Sequence, residues 1–474
     1  MFTNVENNKS TVTLLCYLLL FLVTAIVCLP KVFVLDTSGI DGIIYSSRAT
    51  YAAFNNDWFI QGETTPSAYF DHPPTLIWFN ALVFKILGTH EFNSKIIIMV
   101  FGLLCVLPVF HFTKTIGNYE TGLFAALFFL LLPRVALHMT RFMFDIPLVF
   151  FVSLAFFALY QLTVQRSSKY FLLFWIALGF AVLMKGIVGL GPLLACVVLV
   201  SLKKIDWKSK YFFIGFFLCV AIIMSLDVVY YVNLKSSFWK QYWHYQVSRA
   251  LSGANESNYQ HFPIYFQELF TRWLFGTVFL FIFPWKVKAR KELYFFILLW
   301  IACFVIPLSF AKKNAALYLL PVNPALALCA GVVIHEVWKT NFYKKLAFIL
   351  FILLGCALFF FPQQRLKRQW VGMKNEVLLG NWLRHASEPV KRVGFLNPEL
   401  DKRWLEYYAA ALERGDSIER FSTLTTESSH IDYYLVSEGE YNKNKNFFDV
   451  NGYLMSDQYS LPAPSSLHYF LLKR

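Results

Sequence analysis

The chain is a succession of apolar runs separated by short polar turns. A helix needs about 17 to 25 predominantly apolar residues to cross a bilayer. Runs at or near that length predict eleven spans, at 12–30, 94–112, 121–138, 146–163, 171–187, 188–202, 211–231, 273–286, 293–310, 315–334 and 346–362. Only Lys9 precedes the first run as a basic residue, and no small-residue cleavage pattern follows it, so it reads as an uncleaved span and not a signal peptide. Three segments between or after the runs are long: about 31–93, about 232–272 and the polar tail from Gln363. Within the first of these, Pro73 to Gly88 is apolar but only about sixteen residues long, with Asn80 and Lys85 inside it, which predicts a helix lying in the membrane interface. The tail alternates strand-like runs (Arg392 to Leu396, Ile431 to Val436, His468 to Leu472) with an amphipathic helical run, Pro398 to Leu412. The predicted architecture is therefore a polytopic α-helical membrane protein of about eleven transmembrane helices, residues 1–362 with outward loops 31–93 and 232–272. A small C-terminal soluble α/β domain, 363–474, follows it.

Composition excludes the soluble alternatives. Of 474 residues, 57% are hydrophobic and 15% charged, too apolar for a soluble enzyme, and 51 Phe with 25 Tyr are too much apolar mass for disorder. The net charge of +14 raises the question of nucleic acid, and its placement answers it. The tail from Gln363 holds 15 basic and 14 acidic residues, so the excess belongs to the membrane portion. With the N-terminus in the cytoplasm, the short inward segments carry Lys9, Lys114, Arg166, Lys169, the Lys203 to Lys210 and Lys286 to Lys291 groups, Lys339, Lys344 and Lys345 against few acids, the asymmetry of the positive-inside rule. The basic balance is a topology signal, and no nucleic-acid partner is expected. All eight cysteines lie in apolar runs, which predicts neither disulfides nor a thiolate metal site.

Ionisable residues beside apolar runs are costly and carry most of the functional information. In the proposed topology they gather on the outward side. Asp41 follows the first span in Asp41-Gly42-Ile43-Ile44-Tyr45, and Asp145 lies in the next outward turn, Arg141-Phe-Met-Phe-Asp145-Ile-Pro147. Two carboxylates from separate loops on one membrane face suit acid/base chemistry, although a helix-start aspartate and an i,i+4 pair with Arg141 are the plainer readings. Lys185 sits in a tight outward turn with Gly186 and Gly189, and Lys312 and Lys313 open another; Arg134 and Arg141 share that face. Cations beside apolar helices can seat a lipid phosphate whose tail stays in hydrocarbon, and a snorkelling lysine is the alternative. Asp71-His72-Pro73-Pro74 can bring an imidazole to that seat, or simply form a turn before the interfacial helix. The aromatic stretch from Trp239 to Tyr245 suits sugar stacking as well as a membrane-interface belt. Phosphate-loop, zinc and nucleophile-elbow motifs do not occur.

The order of these features, Asp41-Gly42, then Asp71-His72-Pro73-Pro74 with Gly88, Asp145-Ile-Pro147, Lys185-Gly186, and Lys313 through Tyr318-Leu-Leu-Pro321 and Pro324, resembles the C-type (GT-C) membrane glycosyltransferases. The similarity is to the branch of protein O-mannosyltransferases and lipid A aminoarabinose transferases, over about residues 12–362. It implies a polyprenyl-phosphate-linked sugar as donor, transfer of a hexosyl or pentosyl group on the outer face with inversion, and an acid in the first outward loop at the reacting centre, which Asp41 matches. The implied acceptor is a lipid A-type glycolipid or a protein, and the implied location is a bacterial inner membrane with the tail domain periplasmic. Two departures stand out: Gly42 follows Asp41 where many relatives have an Asp-Glu pair, and His72 stands where the aminoarabinose branch has a lysine. The candidate site is then Asp41 and Asp145 as catalytic carboxylates, Lys185, Arg141, Lys312, Lys313 and His72 toward the donor phosphate, and Tyr45, Trp243 and Tyr318 as acceptor or sugar contacts. No cofactor or dedicated metal site is expected, although a loosely held divalent cation is compatible with it. A flippase or transporter of a lipid-linked sugar, and a noncatalytic envelope scaffold, are the alternative functions.

Overall fold

The computed structural model describes residues 2–32, 39–55, 58–59, 70–89, 91–165, 167–252, 264–271, 273–286, 290–311, 316–339, 392–396, 417–421, 423–424, 428, 430–455 and 469–473. The predicted span 346–362 and the helical run Pro398 to Leu412 lie outside the described residues, as do Lys312 and Lys313.

The protein is a multi-pass membrane protein built mainly of helices. Among the described residues, seven stretches are long and apolar enough to cross a membrane: Thr11–Cys28, Asn93–Ile116, Asp145–Val164, Lys169–Ser201, Lys210–Leu234, Lys291–Ser309 and Leu317–Trp338. Shorter apolar helices are Thr75–Leu87, Tyr119–Leu131 and Leu274–Trp285. In chain order the first ten helices are α1 (Phe2–Val32), α2 (Gly39–Asn55), α3 (Thr75–Leu87), α4 (Glu91–Ile116), α5 (Tyr119–Leu131), α6 (Pro133–His138), α7 (Asp145–Val164), α8 (Lys169–Lys185), α9 (Gly191–Ser201) and α10 (Lys210–Leu234). They are followed by α11 (Phe238–Tyr242), α12 (Arg249–Ser252), α13 (Ile264–Thr271), α14 (Leu274–Lys286), α15 (Lys291–Ser309) and α16 (Asn323–Trp338). Helix α3 has 13 residues, about 20 Å at the usual rise, the same length as α5 and α14.

Local chemistry sets several boundaries. Asn118 caps α5 by accepting the Thr121 N–H at 2.9 Å, and the Thr121 side chain returns the contact to the cap. Ser209 caps α10, accepting the Tyr211 N–H at 3.3 Å. Pro133, Pro192 and Pro324 open α6, α9 and α16, where a missing N–H costs nothing. Helix α7 packs on α8 and α4, α8 on α10, and α5 on both α4 and α16. The α16 stretch is almost wholly enclosed, and small residues allow it: a Cβ on Gly331 would fall 2.5 Å from the Ala125 Cβ. Trp300 of α15 stacks on Phe156 of α7 with centroids 4.1 Å apart, and its indole N–H donates to the Pro321 carbonyl at 2.9 Å. Helices α1 and α10 bury little of themselves and keep their leucines and phenylalanines outward, as a lipid-facing rim requires.

Toward the C-terminus five strands, β1 (Arg392–Leu396), β2 (Ser417–Phe421), β3 (Tyr433–Ser437), β4 (Leu454–Met455) and β5 (Tyr469–Lys473), form one sheet in the order β2-β1-β3-β5-β4. β1 runs parallel to β2 and β3, and β5 antiparallel to β3 and β4. A helix, α17 (Glu438–Val450), follows β3, and buried Tyr434 donates its hydroxyl to the Ser428 carbonyl at 2.7 Å.

Candidate active site

The site forms where α7 begins and α8 ends. Asp145 stands in the first turn of α7, and Pro147, two residues later, has no N–H to leave unpaired. Helix α8 stops at Lys185 because Gly186 takes φ +56°, a conformation that side chains resist, and the chain turns through a short 3₁₀ segment, Gly186–Leu190, into α9. Gly186 has a second reason to lack a side chain: a Cβ there would lie 2.1 Å from the Tyr242 hydroxyl. Antiparallel packing of α7 on α8 brings the two charged ends together, with Lys185 Nζ 2.5 Å from Asp145 Oδ1. The side chains are 7% and 1% exposed, and Asp145 Oδ2 is buried with no hydrogen-bond partner.

Around this pair the ammonium of Lys185 lies 4.8 Å from the Tyr318 ring centroid, and the carboxylates of both Asp145 and Asp41 act electrostatically on the Tyr318 hydroxyl. Asp41 itself is exposed in the first turn of α2. Tyr45, one turn further along α2, meets Phe144 edge-on at 4.8 Å, and His72 lies 5.3 Å from Phe144 and 6.1 Å from Tyr45. The fold thus brings Asp41, Tyr45, His72, Asp145, Lys185 and Tyr318 to one end of the helix bundle.

A cavity of about 370 Å³ opens beside the pair. Its polar groups come from His72, Lys185, Tyr242, Gln246 and Tyr318, and its walls are apolar, among them Ile187, Leu190, Leu194, Val247, Phe304 and Leu308. Tyr242 of α11 reaches it with its hydroxyl accepting the Ile187 N–H at 3.2 Å. Burial pushes that phenol up to about 12, against the opposing pull of the Ile187 N–H, so it stays protonated. The neighbouring Trp243, in a π-helical turn Trp243–Ser248, is exposed and outside the lining. Arg141 is half-buried, away from the lining, and acts with Arg134 and Lys185 on His138. Neither ring nitrogen of His138 has a hydrogen-bond partner. Sequence reasoning passed over His138, which stands inside an apolar run, and did not single out Tyr242 from its aromatic neighbours. Among the described residues no group of three or more His, Cys, Asp or Glu side chains is placed to hold a metal ion, and no step is assigned to one.

Both a stretch of the chain and its fold have counterparts in known proteins. Residues 71–230, which span α3 to α10 and include Asp145 and Lys185, match the family model of dolichyl-phosphate-mannose-protein mannosyltransferases. The whole chain superposes on ArnT from Cupriavidus metallidurans bound to undecaprenyl phosphate, with a TM-score of 0.68 at 14% identity, covering 98% of each chain. The chain has the fold of a C-type membrane glycosyltransferase. The same fold is shared with the archaeal oligosaccharyltransferase AglB from Archaeoglobus fulgidus in complex with an inhibitory peptide and a dolichol-phosphate, at a TM-score of 0.51 and 12% identity, covering 96% of this chain and 75% of that one. An uncharacterized protein of Aquifex aeolicus is 23% identical over 305 residues; the match takes in 61% of this chain and spans 59% of that relative's length.

Proposed function

We propose that this protein is a glycosyltransferase that moves a sugar from a polyprenyl-phosphate-linked donor to a cell-envelope acceptor, a lipid A-type glycolipid or a protein, on the outer face of a bacterial inner membrane. The observation that carries the reading is the apolar cavity ending at Lys185: its walls suit an isoprenoid tail and its cation suits the attached phosphate. Eleven crossings, with 346–362 as the last, place that mouth outside and the tail from 363 to 474 in the periplasm as a separate α/β domain. The shorter helices α5 and α14 and the separate helices α8 and α9 support that count.

In the proposed reaction the acceptor oxygen forms a bond to the anomeric carbon as the bond from that carbon to the lipid phosphate breaks, with inversion. The leaving phosphate is already an anion and departs without a proton, so Lys185 stabilises its growing charge. Asp145 orients the lysine through their 2.5 Å contact. Asp41, exposed at the same end, is the base for a hydroxyl acceptor. His72 and Tyr318 flank the phosphate, Arg141 adds to the field behind it, and Tyr45 lies toward the acceptor. Lys312 and Lys313, six and five residues before Tyr318 in sequence, supply further cations, and Trp243 a surface for the sugar or for the interface. No cofactor is required. The test is mass spectrometry of envelope lipids and glycoproteins from cells with and without the protein, followed by transfer with the purified chain in detergent. A sugar adduct that disappears with the protein and is restored by it supports the reading; an unchanged envelope and no transfer from any polyprenyl-phosphate sugar refute it.

A further inference from the structure

Asp227 is an acid inside a long apolar helix, two turns from the end of α10, and acids in such positions need a reason. Its partners lie beyond the helix. The chain reverses at Lys235 in the left-handed region, φ +53°, and Asp227 Oδ1 accepts both the Ser237 hydroxyl at 2.8 Å and the Trp239 N–H at 3.1 Å. Ser237 in turn caps α11 by accepting the Lys240 N–H at 3.3 Å, and the Trp239 indole donates to the Ile223 carbonyl at 3.0 Å. These contacts fold α11 back onto α10. At the far end of α11, Tyr242 accepts the Ile187 N–H and lies against Gly186, the residue that ends α8 immediately after Lys185. A continuous path of hydrogen bonds and covalent turns therefore joins Asp227 to the lysine, although the two residues do not touch.

The geometry points to Asp227 and Tyr242 as positioning residues of the lipid-phosphate site: the Asp227 latch sets the aim of α11, and Tyr242 pins the turn that presents Lys185 to the cavity. This rests on the reading that Lys185 receives a lipid phosphate. Without the latch α11 loses its fixed angle, and without the Tyr242 hydroxyl the Ile187 N–H loses its acceptor while the ring still packs beside Phe238 and Trp239. Both changes loosen the same turn, so their effects on binding should overlap instead of adding.

The experiment titrates undecaprenyl phosphate into the full chain in detergent, with a melting temperature recorded for every variant. Tyr242→Phe should weaken binding by about 3- to 10-fold, the worth of one neutral hydrogen bond, and Asp227→Ala, which removes two contacts to an acid, by at least as much. Their double variant should be no weaker than the worse single one. Asp227→Asn keeps the acceptor oxygen and should bind as the unaltered protein does. Lys185→Met is the control for the underlying reading. If Lys185→Met loses binding while Tyr242→Phe and Asp227→Ala change only the melting temperature, the latch is structural and the inference is overturned with the lipid-phosphate site intact. Additive losses would overturn the shared path, and unchanged binding in Lys185→Met would overturn the site and the inference together.

Discussion

The buried pair of Lys185 and Asp145 makes opposite demands on stability and on binding, and substitutions can separate them. Lys185→Met keeps the apolar stem and removes the charge. Asp145, 1% exposed with its second oxygen already without a partner, is then left as an uncompensated carboxylate. Breaking a buried pair from one side costs about 3–5 kcal/mol. On the proposed reading the same substitution removes a charge-assisted contact to the lipid phosphate, worth about 1.5–3 kcal/mol, or roughly 10- to 150-fold in affinity. Adding Asp145→Asn removes the stranded charge. The double variant should recover most of the lost stability while its affinity for undecaprenyl phosphate stays at least about tenfold below that of the unaltered protein. Asp145→Asn alone should do the reverse, lowering the stability of the free protein and tightening lipid-phosphate binding, because the anion then satisfies the lysine in place of the lost carboxylate. Thermal unfolding with and without undecaprenyl phosphate reads both quantities, since a ligand that binds only the folded state raises its stability by mass action. Full recovery of lipid binding in the double variant would show that the pair is structural and that the phosphate is held elsewhere.

Three further outcomes are expected. Asp41→Asn should lower turnover by about 10²- to 10⁴-fold with lipid-phosphate binding unchanged, since the amide keeps the helix-start geometry and loses the basicity; near-normal turnover in a detergent assay would remove Asp41 from the base role. Both ring nitrogens of His138 are buried without hydrogen-bond partners, so His138→Leu should leave the melting temperature unchanged or raise it. A clearly lowered melting temperature in His138→Leu would reject that reading. A reporter active only outside the cytoplasm should be active when fused after Arg474 and silent in the Lys203 to Lys210 loop, and the reverse pattern would invert the proposed topology.

Much of the helical layout is legible because the bilayer imposes a length and a polarity on every crossing. The runs 94–112, 146–163 and 211–231 lie in helices α4, α7 and α10, whose limits exceed them by a few residues, whereas 171–187 runs past the end of α8 at Lys185. The strand-like runs at 392 and 431 likewise fall on or beside β1 and β3, but β2 and β4 went unread: Ser417–Phe421 has Glu419 and Arg420 in it, and β4 is two residues long. The site was legible as a set of unusual charges and illegible as a set of contacts. Asp145 and Lys185 are 40 residues apart, and no periodicity within one helix says which carboxylate meets which cation. In the aromatic loop, Tyr242 at the end of α11 lines the cavity while Trp243, which opens the π-helical turn, stays outside it, a difference of one residue that a simple count of aromatics cannot make. Asp227 did give a signal, an acid in an otherwise apolar run, but its partners follow the chain reversal at Lys235 and only the fold reveals them.

The position of the pair at two helix ends explains how the bundle keeps both charges buried. A carboxylate in the first turn of α7 meets the positive end of that helix, and an ammonium in the last turn of α8 meets the negative end of its own. Antiparallel packing then places the two favoured charges side by side, so each is held by a helix end and by its partner. On the proposed reading this bears on the reaction as well as on stability. A sugar joined to lipid phosphate leaves one negative charge on the diester, whereas the released lipid phosphate is a monoester that carries nearly two at neutral pH, its second pKa lying near 6. Lys185 therefore attracts the product more strongly than the donor, which favours transfer and opposes release. Asp145, beside the same ammonium, repels the product and offers the lysine another partner. The pair is thus suited to give up its mutual contact when the donor arrives and to restore it as the spent lipid leaves.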